Sequence, residues 1–345
     1  MAKIKYNILV IFTNQFAAMI KASLPLGRIL DSLASENLNK HLLKVIRKVK
    51  ASVENGVDLG VAVAMHPKVF DPIYVNMVKA GMETGRLDET LTHLSQYMEK
   101  SAETKSKVKS ALTYPIFMFC FLCFVVYIMV FFILPMFEKM FANSKKELPV
   151  PTQILMQTAD IIKDYWPLGL LLIVIVIIAI HYYLKTPLGR YSWDRNKLSI
   201  PLFGNLMKKA SLAKFLRTFS TLIQSEVPII DSLDLVSTSG DNKFLESKIK
   251  DVREMIERGM NITTAFELTR FFPETVLQMI ASGEETGNLD KLLISAANFY
   301  DDQVDESLKS MVALINPVLT IVIGGAISMI MIAIFLPILQ MGGGI

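Results

Sequence analysis

Gly81-Met82-Glu83-Thr84-Gly85-Arg86-Leu87-Asp88-Glu89 returns 202 residues later as Gly283-Glu284-Glu285-Thr286-Gly287-Asn288-Leu289-Asp290-Lys291. With the two copies superposed, Pro115 falls on Pro317 and Pro135 on Pro337 at the same offset. Upstream, Pro25 falls on Pro228 and Gly56 on Gly259 at an offset of 203, so one residue is lost between Gly56 and Gly81. A register held over this length is an internal duplication.

Composition places the duplication in a membrane. The chain has 345 residues, 52% of them hydrophobic, with a mean hydropathy of +0.41. That is too apolar for an ordinary soluble protein. The net charge of +4 is mild and its cations flank apolar runs, so nucleic acid is not an expected partner. Cys120 and Cys123 lie within one apolar run, which excludes a disulfide framework and makes them apolar fillers rather than a redox or metal pair. No cleavable signal peptide is read in the first residues.

Helical spacing of Ile8, Phe12, Phe16, Met19 and Ile20 predicts a first helix over Tyr6–Ala22. Ser23 reads as an N-cap and Pro25 as the first turn of a second helix carrying Leu26, Ile29, Leu30 and Leu33. A third helix, Leu38–Glu54, stops at Asn55-Gly56. A fourth covers Leu59–Met65, a fifth Pro72–Ala80, and a sixth begins after Gly85 and runs through Leu91, Leu94 and Met98 towards the membrane. Uncharged spans follow at Tyr114–Leu134, Trp166–Leu184 and Val312–Leu339, each long enough for a bilayer core.

The reading is an all-α integral membrane protein, with two duplicated six-helix cytosolic bundles and three transmembrane helices. Its divisions are a first bundle at 1–111, a first span at 112–135, an outside loop at 136–165 and a second span at 166–184. A second bundle at 185–311, a third span at 312–339 and an outside tail at 340–345 complete it. Lys100, Lys105, Lys107 and Lys109 before the first span, and the cations from Lys185 to Arg217 after the second, put both bundles on the cytosolic side. The Glu138–Asp164 loop is charge-balanced and falls outside, as does the C-terminus.

Gly81, Gly85, Leu87 and Asp88, with Gly283, Gly287, Leu289 and Asp290, read first as architecture. Gly81 allows a close helix approach, Thr84 or Gly85 turns the chain, Leu87 returns to the core, and the acids suit a helix start. The alternative is a partner or ion contact through those acids. No phosphate-binding Gly-x-x-x-x-Gly-Lys-Ser/Thr occurs, so nucleotide hydrolysis is not expected in this chain. The spans hold no Asp, Glu, Lys or Arg, which argues against an intramembrane aspartyl protease, such as a prepilin-processing enzyme, and against a small ion-coupled transporter. No catalytic residue, cofactor or metal ligand is assigned. Gly324, Gly325, Ala326 and Ser328 suit close packing within the monomer or against another subunit.

The full constellation resembles the inner-membrane platform family of type II secretion systems and type IV pili, the GspF- or PilC-like proteins. It rests on Leu24-Pro25 with Val227-Pro228, Gly56 with Gly259, Phe272-Pro273-Glu274, the Gly283–Asp290 motif, and Tyr114-Pro115 with Asn316-Pro317. The first copy departs by having Met82 where the second has Glu284, so Glu83 would have to take over that carboxylate's role. The short N-terminus is more like members from type IVb pilus and competence systems. The resemblance implies a non-enzymatic homo-oligomeric scaffold, a dimer or higher, in the bacterial inner membrane. It would dock on a hexameric assembly ATPase and lift major and minor pilins or pseudopilins from the phospholipid bilayer into a filament, beside other inner-membrane assembly proteins. Lys208, Lys209, Lys214 and Arg217 are the candidate contacts to an acidic partner or lipid, the alternative being charge that only sets topology.

Overall fold

The computed structural model describes residues 4–35, 39–133, 135–136, 150–201, 203–239 and 242–342. Among them there are helices and turns and no strand. The first copy comprises α1 (Tyr6–Lys21), α2 (Leu26–Ser35), α3 (Lys40–Glu54), α4 (Leu59–Ala64), α5 (Pro72–Glu83) and α6 (Leu87–Ile128). After α7 (Val150–Lys185) and α8 (Pro187–Asn196), the second copy comprises α9 (Phe203–Gln224), α10 (Ile229–Ser239), α11 (Lys243–Glu257), α12 (Ile262–Leu268), α13 (Glu274–Thr286) and α14 (Leu289–Gly342).

The duplication is written into the core. Phe12, Phe16, Leu30, Leu42, Ile46, Val49 and Val78 are buried, and so are their counterparts Phe215, Phe219, Leu233, Leu245, Ile249, Val252 and Ile280. Burying one such side chain stabilises the fold by about 1.5–3 kcal/mol. Where the first copy has Val63 the second has Phe266, whose ring lies 4.8 Å from that of Phe272 and 6.0 Å from that of Phe215. Asn39 and Asn242 occupy equivalent caps, each side chain accepting from two backbone N–H groups at the start of α3 and α11.

Several boundaries differ from the sequence reading. Ser23 closes α1 instead of opening α2. It takes a left-handed φ of 57°, donates its N–H to Ile20 O at 2.8 Å, and lets Leu24 N–H reach Met19 O. Helix α5 runs three residues beyond Ala80, which puts Gly81 in its last turn. The bundle helix and first span are one helix, α6, with Pro115 inside it rather than at its start, followed by a π turn at Met129–Ile133. Pro115 lacks the N–H that would bond four residues back, and α6 continues past that one missing bond. Helix α7 begins at Val150, so the later part of the expected loop is helical, while 137–149 lie outside the described residues. Helix α8 precedes the second copy. The Asp194 carboxylate fastens it to the second copy by accepting from Lys243 N at 2.7 Å.

Among the described residues three helices are long and apolar enough to cross a membrane. The chain divides into one compact unit of Met1–Lys107 with Tyr191–Ser307 and a second of Val108–Arg190 with Leu308–Ile345. Gly324 and Gly325 face open space, so the described residues show no monomer packing at those two glycines.

A Cβ on Gly283 would lie 2.9 Å from the backbone Cα of Leu289, and one on Gly81 would lie 2.9 Å from Thr90 Cβ. Gly283→Ala is therefore expected to cost about 1–3 kcal/mol, seen as a lower Tm of the full chain in nanodiscs. Gly324→Ala should leave Tm unchanged or raise it slightly. Equal shifts for the two would contradict this assignment.

Candidate functional site

Each motif copy builds the same corner. The preceding helix ends, a glycine turns the chain in left-handed conformation (Gly85 φ 71°, Gly287 φ 69°), and Leu87 or Leu289 starts the next helix. Leu289 is buried and Leu87 half-buried, close to Gly283 and Gly81 respectively. Asp88 and Asp290 stand in the first turns of α6 and α14, where a negative charge meets the positive helix end. Gly56 (φ 83°) and Gly259 (φ 89°) close α3 and α11 by the same device, away from this corner. Pro273 precedes α13, and Pro115 and Pro317 lie inside α6 and α14.

The second copy uses Glu284 as a long-range cap. Its carboxylate accepts from Ile262 N (2.7 Å), Thr263 N (2.8 Å) and Thr263 Oγ1 (2.6 Å) at the start of α12. Burial opposes ionisation of this group, but those three hydrogen bonds outweigh it and hold the carboxyl below the usual range. The residue preceding α12, Asn261, makes no side-chain cap of its own. In the first copy Asp58 stands in the Asn261 position and caps α4 directly, accepting from Gly60 N at 2.7 Å and Val61 N at 3.3 Å. The duty missing at Met82 therefore passes to Asp58 and not to Glu83.

Glu83 instead lies where the two copies meet. Helix α5 packs on α10, and a cavity of about 300 Å³ opens between them. Glu83, Lys79 and Thr84 line one side, and Glu226, Pro228, Asp231 and Asp234 the other. Arg86 pairs with Glu226 and, at 2.6 Å, with Glu89. Further along, Lys107 joins Asp305 (2.5 Å) to Glu103 (2.9 Å), and the hydroxyls of Tyr97 and Thr218 lie 3.4 Å apart in a buried contact. Glu226 itself has φ 60°, the counterpart of Ser23. Among the described residues no group of three or more His, Cys, Asp or Glu is placed to hold a metal ion.

The four cations singled out after the second span do not form one open basic face. Arg217 is largely buried, paired with Asp301 at 2.5 Å and donating to Asn298 at 2.7 Å. Lys209 donates to Gln303 (2.8 Å) and Ser307 (3.0 Å), and Lys208 sits 5.5 Å from the Phe271 ring centre. The Arg217 and Lys209 contacts tie α9 to α14, 81 to 98 residues away in sequence. Lys214 is exposed on α9, its carbonyl accepting from the Thr218 hydroxyl. The sequence reading missed Asp58, Arg86 and Glu226. An Asp just before a short apolar run was the one local signal available, for Asp58.

The pattern of the family described as type II secretion system (T2SS), protein F, matches residues 12–135 and again 215–337. A type IV pilus assembly protein PilC of Myxococcus xanthus is 41% identical over 98% of this chain and 81% of its own length. The PilC of Thermus thermophilus is 36% identical over 97% and 82%. A type II secretion system protein F of Vibrio cholerae is 29% identical over 96% and 82%.

Replacing Glu284 by Gln, or Asp58 by Ala, is expected to cost about 0.5–2 kcal/mol by uncapping α12 or α4. Because the Glu284 value is lowered on folding, its contribution is complete above an unfolded value of about 4.5 and fades as pH falls through the folded value. Thermal unfolding against pH should show the Glu284→Gln deficit at neutral pH and its disappearance in acid. A deficit independent of pH would contradict the charge-assisted cap.

Proposed function

The chain belongs to the family of type II secretion system protein F, and from that membership we propose that it is an inner-membrane platform for assembling a type IV pilus. The carrying observation is similarity to pilus assembly proteins along almost the whole chain, at higher identity than to the secretion protein. Such membership makes it an assembly component and not an enzyme.

In this reading the two copies, residues 1–111 and 185–311, lie in the cytosol and the C-terminus lies outside, as the cation distribution favours. They meet a hexameric assembly ATPase, and the chain passes its cycle to pilins leaving the bilayer, beside other inner-membrane assembly proteins. Two features support a mechanical role. The copies pack as one compact unit, so a push on one moves both. The described apolar stretches of α6, α7 and α14 lack Asp, Glu, Lys and Arg, with His181 near one end of α7, which leaves the middle of the bilayer without the groups of proton or ion coupling and suits contact with lipid and apolar pilin helices. Hydrolysis is left to the partner.

Deleting the gene and imaging cells for surface filaments, with pilin followed by blot, tests this. Filaments should vanish while processed pilin persists in the membrane. Accumulation of unprocessed pilin would favour a processing enzyme, and unchanged filaments with altered exported proteins would favour a secretion system.

A further inference from the structure

The two copies bind each other head to tail, and this leaves one half of the same interface open at each end of the pair. The first copy offers the face of α5, and the second copy receives it on the corner that leads into α10. Val227 in that corner is 8% exposed. Its counterpart Leu24, in the corner leading into α2, is 45% exposed, and Pro25 beside it is exposed. The complementary face is equally uneven. Asn76 and Ala80 on α5 are half-buried, whereas their counterparts Gln278 and Ser282 on α13 are exposed.

We infer that a second copy of this chain fills these vacant halves, α13 of one chain seating on the Leu24–Pro25 corner of the next. The fit of the two surfaces is already displayed inside the chain, between their own duplicates. Charge favours the pairing as well. The open corner carries Lys21 and Arg28, where the occupied corner has Gln224 and Asp231, and the open helix face carries Glu285 with no lysine at the position of Lys79. A heterologous contact of this kind repeats into a ring or an open row, unlike the self-complementary patch of a two-fold dimer. On the topology proposed above, both copies lie on one side of the bilayer, so repetition stays within one membrane. The inference concerns self-assembly and holds whichever filament the platform serves.

Full-length chains with Cys120→Ser and Cys123→Ser, carrying two different tags, would be co-expressed in membranes. One carries Arg28→Cys and the other Glu285→Cys. A short bismaleimide should join the two tags. Glu83→Cys with Asp231→Cys in one chain is the internal counterpart, and it should cross-link within the chain. Adding Leu24→Glu to the Arg28→Cys chain should cut the inter-chain yield about tenfold while sparing the internal cross-link. Three results would overturn the inference: an internal cross-link without the inter-chain one, cross-linking of Arg28→Cys chains to each other instead, or failure of the internal pair.

Discussion

What holds the two copies together is the seating of α5 on the corner that runs through Val227 and Pro228. Its ion pairs are individually weak. Arg86 and Glu226 are each about half exposed, and such pairs contribute about 0–1 kcal/mol. The stronger contributions come from removing Val227 from water and from the buried meeting of Tyr97 with Thr218. The charges act chiefly on register, since Arg86 reaches Glu226 and Lys107 reaches Asp305 in only one alignment of the copies.

That seating in turn depends on glycine. Helix α5 can end beside the start of α6 because Gly81 has no side chain to hold Thr90 and Leu87 away. Gly85 then reverses the chain within a few residues, in a conformation that other residues adopt at a cost. The same device at Gly283 and Gly287 directs α14. Both long helices therefore start from the same local corner, which explains why the motif is the most closely repeated part of the chain. The caps show that equal geometry does not need equal chemistry. One copy caps its fourth helix with the neighbouring Asp58, the other with Glu284 brought from the motif.

Much of this was legible in order along the chain, because the signals are local. Helical spacing of apolar residues, Asn55-Gly56 as a stop, and glycines at fixed offsets need no knowledge of distant contacts. The misreadings came where a distant partner decides. Ser-Leu-Pro reads as a helix start, yet Ser23 and Glu226 both close the preceding helix in left-handed conformation. Lys209 and Arg217 read as a surface charge run, because a linear count does not see Gln303 or Asp301 across the bundle. Asp58 and Glu284 exchange one duty between sites that no spacing rule connects. The pairing of the copies was hidden for the same reason, although the difference between Leu24 and Val227 reveals it once exposure is known.

Spin labels on Lys79→Cys and Asp231→Cys, in a chain lacking Cys120 and Cys123 and held in lipid nanodiscs, would test the seating most directly. The account predicts one short, narrow distance between the labels, broadened when Arg86 and Val227 are both replaced by Asp. A long or broad distribution in the otherwise unaltered chain would mean that the copies move independently, and would contradict the single compact body on which the platform reading rests.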